Sequence, residues 1–227
     1  MTDLKRTIRT FVMRTGRITP SQQKALATLW PRYGLEANGQ QLNFTDIFGR
    51  TAPVTLEIGF GMGDTLITMA RNNPERDFLG IEVHLPGVGR TLAQIDEHEL
   101  TNLRVMREDA LEILRQQIPN ATLDRIQVFF PDPWHKKKHH KRRLVQPETI
   151  ALFAQKQVAG GLLHLATDWQ PYAQAMLEVM SAQTDYHPAP GLCAQRPEFR
   201  PETRFEQRGH RLGHAVSDLI FERSTTV

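Results

Sequence analysis

The sequence predicts an α/β fold: a mostly parallel sheet wound by helices, closed by an antiparallel strand. Three observations carry this. From residue 53 onward, short apolar runs alternate with longer amphipathic stretches, the pattern of right-handed βαβ crossovers. Three glycines, Gly59, Gly61 and Gly63, stand where the first strand turns into the first helix of that series. After a long return rich in Pro, Arg and Gly (186–211), the stretch "HAVSDLIFE", His214–Glu222, reads as one more strand, which suits an antiparallel addition.

The elements follow in order. Thr19-Pro20-Ser21-Gln22 offers an N-cap, a proline at the first helical position and a capping-box Gln. A helix then runs to Trp30, with Pro31 beyond it. Val54–Ile58 is an apolar strand ending at Gly59, and 64–72 a helix. Phe78–Val83 with helix 86–98, and Leu103–Met106 with helix 110–118, repeat the unit. Ile126–Phe130 is the fourth strand; helix 147–158, strand Leu162–Ala166 and helix 169–181 complete the run. Residues 1–52 thus form a basic arm and a helix, and residues 53–227 the α/β domain.

Totals narrow the class. With 227 residues, 40% of them hydrophobic and 23% charged, the chain can bury a full core in one large domain. No stretch approaches the ~18 apolar residues that span a bilayer, so no membrane partner is expected. The single cysteine, Cys193, excludes an internal disulfide and fits a reducing, cytoplasmic setting. Net charge is only +3, yet the positive charge is concentrated. Residues 134–143 hold six Lys/Arg, three His and no acid. The first 17 residues carry Lys5, Arg6, Arg9, Arg14 and Arg17 against one acid, Asp3. Such blocks point to a nucleic acid or an anionic surface, although a solvated face is the ordinary fate of a basic run. A transit peptide is disfavoured, because the arm leads straight into the capped helix.

"VTLEIGFGMGDTL" is the strongest local signal. Glycines at a strand-to-helix turn let backbone approach a ligand, and the helix N-terminus offers free N–H groups. A dinucleotide fingerprint would need its third glycine at position 64, which is Asp64. The spacing is G-x-G-x-G, preceded by Glu57. A pyrophosphate would be repelled by that acid, whereas S-adenosylmethionine carries a sulfonium and an ammonium. Glu82 ends the second strand, where an acid takes ribose hydroxyls in such folds, and Asp109 follows the third, placed to accept from an adenine amino group. Each alone reads as a surface or capping acid; together at successive strand C-termini they favour a nucleoside cofactor.

Asp132 lies after the fourth strand, on the same edge, between two prolines in "FFPDPWHKKKHHKRR". The prolines restrict its backbone, though Pro-Asp-Pro is also an ordinary turn. Lys137, Lys138, Lys141, Arg142 and Arg143 would then hold an RNA backbone, and Phe130 and Trp134 stack on a base, although core packing is the more ordinary fate of Phe130. His135/His139 and His210/His214 stand four apart, but no carboxylate cluster accompanies them, and no metal is expected.

In sequence order, "LEIGFGMG", "GIEVHLPGVG", "NLRVMREDA", "FFPDPWHKKKHHKRR", "ATDWQPYA" and "TRFEQRGHRLGH" closely resemble bacterial tRNA (guanine-N7-)-methyltransferases, the TrmB family, over nearly the whole chain. The resemblance implies a class I methyltransferase fold (Rossmann-like), with a seven-stranded, mostly parallel sheet whose last strand is antiparallel. It implies methyl transfer from S-adenosyl-L-methionine to N7 of a guanosine in the tRNA variable loop, with tRNA and not DNA as partner, by a monomer. Carried over by position, the cofactor residues are Glu57, Gly59, Gly61, Gly63, Glu82, Asp109 and Asp132, and Asp132 is also the catalytic position. Lys136, Asp168, Thr203, Arg204, Phe205 and Glu206 match substrate positions. Lys138, His139, His140, Lys141, Arg142 and Arg143 match the RNA-contacting segment.

Guanine N7 has an in-plane lone pair and no proton, so no general base is required. Asp132 either offsets the positive charge that develops on the base or accepts from the guanine N1–H and N2–H edge. Asp168 and Glu206 would clamp the target nucleotide. Three other readings stay open on residues alone: an NAD-dependent oxidoreductase, a non-catalytic RNA-binding module, and a DNA amino-methyltransferase, whose D-P-P-W motif "PDPW" loosely matches.

Overall fold

In the computed structural model, residues 10, 11, 16–189, 196–203, 206 and 215–225 are described. The helices are α1 (Pro20–Tyr33), α2 (Phe44–Phe48), α3 (Asp64–Asn72), α4 (Leu85–Glu97), α5 (Ala110–Gln116), α6 (Pro147–Lys156) and α7 (Gln170–Ser181). The strands are β1 (Val54–Ile58), β2 (Asp77–Ile81), β3 (Leu103–Met106), β4 (Leu123–Phe129), β5 (Gln157–Thr167), β6 (Tyr186–Pro188) and β7 (Ser217–Arg223). They form one seven-stranded sheet in the order β3-β2-β1-β4-β5-β7-β6. Pairings from β3 through β5 are parallel, while β7 runs antiparallel to both β5 and β6. Among the described residues the last strand is therefore the one reversed strand of the sheet.

Helices cover both faces, giving three layers around two cores. On one face Leu56, Ile126, Leu163, Phe153, Tyr172 and Met176 pack with α5, α6 and α7. On the other Leu66, Phe78, Leu92, Ile95 and Tyr33 pack with α1, α3 and α4. The N-terminal helix is thus part of the domain's own core. The Thr19/Gln22 capping box forms, with Thr19 N–H donating to Gln22 Oε1 at 2.9 Å and Gln22 N–H to Thr19 Oγ1 at 3.3 Å. Gly89 lets α1 lie close on α4, since a Cβ there would meet Gln22 O at 2.8 Å.

Several boundaries differ from the sequence reading, each for a local reason. α1 continues past Trp30 through Pro31 to Tyr33. Pro31 lacks only its own N–H, and the last turn still closes by Gly34 N–H to Trp30 O at 2.7 Å. β4 starts three residues early, because the charged Asp124 and Arg125 are partnered: Asp124 pairs with Arg76 and Arg125 lies over the Phe199 ring at 4.2 Å. β5 begins directly at the end of α6, and a register shift opposite Leu123/Arg125, with Gly160 at φ 76°, absorbs the extra residues as a bulge. The short α2 and β6 and a 3₁₀ turn at Lys137–Arg142 carry too few residues to show a period.

The parallel strands all end on one edge, and β1 is the strand with β2 on one side and β4 on the other. The order in which strands are added reverses there, with β2 and β3 on one side and β4 and β5 on the other, and open α/β sheets bind ligands in the crevice at such a point.

Candidate active site

That crevice is built from the glycine turn. Gly59, Gly61 and Gly63 have φ of 76°, 59° and 81°, the left-handed region that disfavours a side chain. A Cβ at Gly59 or Gly61 would meet no protein atom within 4 Å, so both expose bare backbone to open space. Gly63 serves packing instead: a Cβ would strike Thr91 Oγ1 of α4 at 2.1 Å. Glu82 holds the turn's shape. Its Oε2 accepts from Gly61 N–H at 2.7 Å, and its Oε1 from Val83 and His84 N–H at 2.7 and 2.9 Å. A carboxylate offers about four lone-pair sites, so this engagement leaves room for one further donor such as a ribose hydroxyl.

The resulting cavity measures about 510 Å³, within the usual ~300–1,000 Å³ for a small-molecule site. Glu82 and Asp109 stand in its wall, with Arg107 nearby, and Phe130, Pro131 and Asp132 at another side. Thr10, Phe11 and Gly16 of the N-terminal arm also line it. Asp109 caps α5, its Oδ1 accepting from Leu111 N–H at 2.9 Å. Glu57 is buried in the middle of the sheet and does not reach the wall; Gln127 Nε2 donates to its Oε2 at 2.8 Å. Burial, against the relief from Gln127 and with a further push from the Glu82 charge, raises its pKa to about 7.

Asp132 is exposed at the cavity's mouth. The residues two before and two after it, Phe130 and Trp134, have φ of 52° and 47°, so the loop turns sharply on both sides of the acid. Such backbone in non-glycine residues is held in place by its surroundings. Arg143 supplies part of that hold. It is buried, its Nε donates to Pro133 O at 2.8 Å, and its guanidinium lies 4.7 Å over the Tyr172 ring. The last cation of the basic run thus braces the acid loop from inside. Lys136, Lys137, Lys138 and Lys141 are exposed, and His139 and His140 half-buried. Loss of hydration, then the charges of Lys138, Arg142, Lys136 and Lys141, lower the His139 pKa below its ordinary value. Trp134 is engaged on several sides: Nε1 donates to Thr10 O at 3.2 Å, Arg142 lies 4.4 Å over its ring, and His139 packs edge-on.

The "TRFE" acid belongs to a buried charge network. Glu206 is buried and bidentate to Arg200, at 2.6 and 2.5 Å, and accepts from Thr203 N–H at 2.7 Å. Thr203 Oγ1 accepts in return from Glu206 N–H. Arg200 also makes two 2.7 Å bonds to Asp218 of β7, whose Oδ1 lies 2.6 Å from His164 Nε2 on β5. Burial holds His164 below its ordinary pKa, against the opposing pull of the Asp218 bond and charge. Thr203 and Glu206 thus secure their own segment to the sheet, and neither lines the cavity. Arg204 and Phe205 lie outside the described residues, as do Lys5, Arg6, Arg9, Arg14, His210 and His214. Asp168, half-buried, directly follows β5 on the same rim as Asp132. Sequence reasoning missed Arg200, Asp218 and His164. The one local hint was a lone His in the apolar "LLHLA"; pairing across 54 residues has no local signal. Among the described residues no group of three or more His, Cys, Asp or Glu is arranged to hold a metal ion.

A glycine turn at the reversal point, with acids at successive strand ends, defines a class I, S-adenosylmethionine-dependent methyltransferase. Comparison narrows this. A family model described as "Putative methyltransferase" matches residues 51–219. Relatives named tRNA (guanine-N(7)-)-methyltransferase include one from Alcanivorax borkumensis, 54% identical over 96% of this chain and 92% of that protein. Another, from Aeromonas hydrophila, is 56% identical over 96% and 93%. The chain belongs to the tRNA (guanine-N(7)-)-methyltransferase family. Among solved structures, the 16S rRNA methyltransferase KamB superposes with a TM-score of 0.60 at 19% identity, covering 80% of this chain and 92% of that one, a likeness of fold.

Proposed function

We propose that the chain transfers a methyl group from S-adenosylmethionine to N7 of a guanosine in the tRNA variable loop. The observation that carries this is the meeting of two features on one rim: a cofactor-sized cavity walled by acids, and Asp132 at its mouth beside a lysine-rich surface. When bound, the cofactor supplies an electrophilic methyl on a sulfonium. Gly59 and Gly61 leave backbone open to it; Glu82 and Asp109, in the cavity wall, would take ribose and adenine, and the buried Glu57 would ionise in answer to the cation.

Asp132 orients the incoming guanine and offsets the charge that grows on it. It takes no proton, because N7 bears none. Alignment alone at near-attack distance accounts for about 7–11 kcal/mol of a barrier, which makes a rigid loop more useful than a base. Lys136, Lys137, Lys138 and Lys141 would hold phosphates, and Asp168 borders the nucleotide from the β5 side.

The test is methyl transfer from labelled S-adenosylmethionine to unmodified tRNA, followed by digestion and identification of the nucleoside. The reading expects 7-methylguanosine. Label on an exocyclic amine would favour the amino-methyltransferase reading, and binding without transfer the RNA-binding module.

A further inference from the structure

We propose that Trp169 is a base-stacking residue, taking an unstacked base of the tRNA at the mouth of the active site. Among the described residues the exposed large hydrophobic side chains are Met62, Trp169 and Leu177. Single exposed hydrophobics are ordinary, so exposure carries nothing by itself. Placement does. Trp169 follows Asp168 at the end of β5, beside the end of β4 from which the Asp132 loop departs.

Its backbone is fixed. Trp169 N–H donates to Thr167 Oγ1 at 3.2 Å, and its carbonyl accepts from Tyr172 and Ala173 N–H at 2.9 and 3.0 Å, as the residue that begins α7. Its ring is steadied by His135 of the basic loop, with centroids 4.6 Å apart and planes at 86°. One perpendicular neighbour covers at most one face of an indole, and the residue remains 36% exposed. The neighbouring Trp134, the expected stacking residue, is occupied by Thr10, Arg142 and His139. Exposed Lys136 and Lys137 follow His135 directly, so phosphate-holding charge and an aromatic platform stand together, the combination that binds single-stranded nucleic acid. The inference rests on the tRNA reading above and adds to it the residue that receives a base.

The experiment compares wild type, Trp169→Phe and Trp169→Ala in steady-state methylation of unmodified tRNA, with cofactor affinity measured for each. Loss of one base–aromatic stack predicts a fall of roughly 10- to 100-fold in kcat/KM for tRNA in Trp169→Ala, mostly in KM, with cofactor affinity unchanged. Trp169→Phe should restore most of it. In the presence of S-adenosylhomocysteine, tRNA should quench the tryptophan emission of wild type, and most of that quenching should vanish in Trp169→Phe. Equal quenching in Trp169→Phe, a Phe variant as poor as the Ala variant, or a fully active Ala variant would each overturn the proposal. Should Trp169→Ala fail to fold, the quenching comparison decides alone. Wild type that binds tRNA but forms no 7-methylguanosine would instead overturn the methyl-transfer reading.

Discussion

Two carboxylates make the residue-scale case, and they differ in exposure. Asp132 is exposed at the cavity mouth. Replacing it by Asn keeps shape and removes charge, so single-turnover methylation should fall by about 100-fold or more while cofactor affinity holds. A near-normal rate would remove Asp132 from the chemistry. Glu57 is buried and titrates near pH 7, against about 4.5 without burial. Between those values the folded chain holds a proton that the unfolded chain has released. Folding stability therefore drops as pH rises from about 4.5 to about 7, by on the order of 3 kcal/mol for this group. Glu57→Gln should accordingly melt higher than wild type at about pH 8, with the gap narrowing towards pH 5, as read by thermal unfolding without cofactor. The same carboxyl should ionise when a sulfonium compound binds. Calorimetry of S-adenosylmethionine binding near pH 7 in buffers of different ionisation enthalpy should then show proton release in wild type and less in Glu57→Gln; equal release would reject the coupling.

At the scale of elements, the glycine turn and the buried charge network have separable jobs. Gly61→Ala forces a side chain into a left-handed position, at about 1–2 kcal/mol, and puts a methyl where close approach of ligand to backbone is needed. Cofactor affinity should weaken far more than stability, and unchanged affinity on titration would place the cofactor elsewhere. Arg200→Met leaves Glu206 and Asp218 buried without their cation, and chemical denaturation should show a drop of about 3–5 kcal/mol. These elements differ in how far the sequence reveals them. β1, α3 and β3 are legible to the residue, because their apolar runs are bounded by glycine or by a capping acid. The rim acids are legible because strand ends can be counted. Arg143 and Glu206 are not. A charged residue in a polar motif reads as a surface group, and only its partners, the Pro133 carbonyl and the Arg200 guanidinium, turn it inward.

Across the whole molecule the seven-stranded order follows from the alternation of elements, yet the joining of its parts does not. α1 is readable as a helix, but not as a packing partner of α4, since that depends on the meeting of Gly89 with Gln22, far apart along the chain. The basic arm can be read as charge, but not as the segment whose Thr10 and Phe11 line the cavity, with Thr10 accepting from Trp134. The exposed lysines lie together on the loop that follows the acid. Replacing Lys136, Lys137, Lys138 and Lys141 by Ala should flatten the salt dependence of tRNA binding by about one log–log unit for each phosphate no longer neutralised, with cofactor affinity unaltered. The central claim is that the acid-rimmed cavity holds the methyl donor with its sulfur towards Asp132. A crystal structure with S-adenosylhomocysteine tests it most directly. Adenosine should lie between Glu82 and Asp109, with backbone of the glycine turn against the ligand and sulfur facing the Asp132 loop. A ligand seated elsewhere, with this cavity left to solvent, would contradict it.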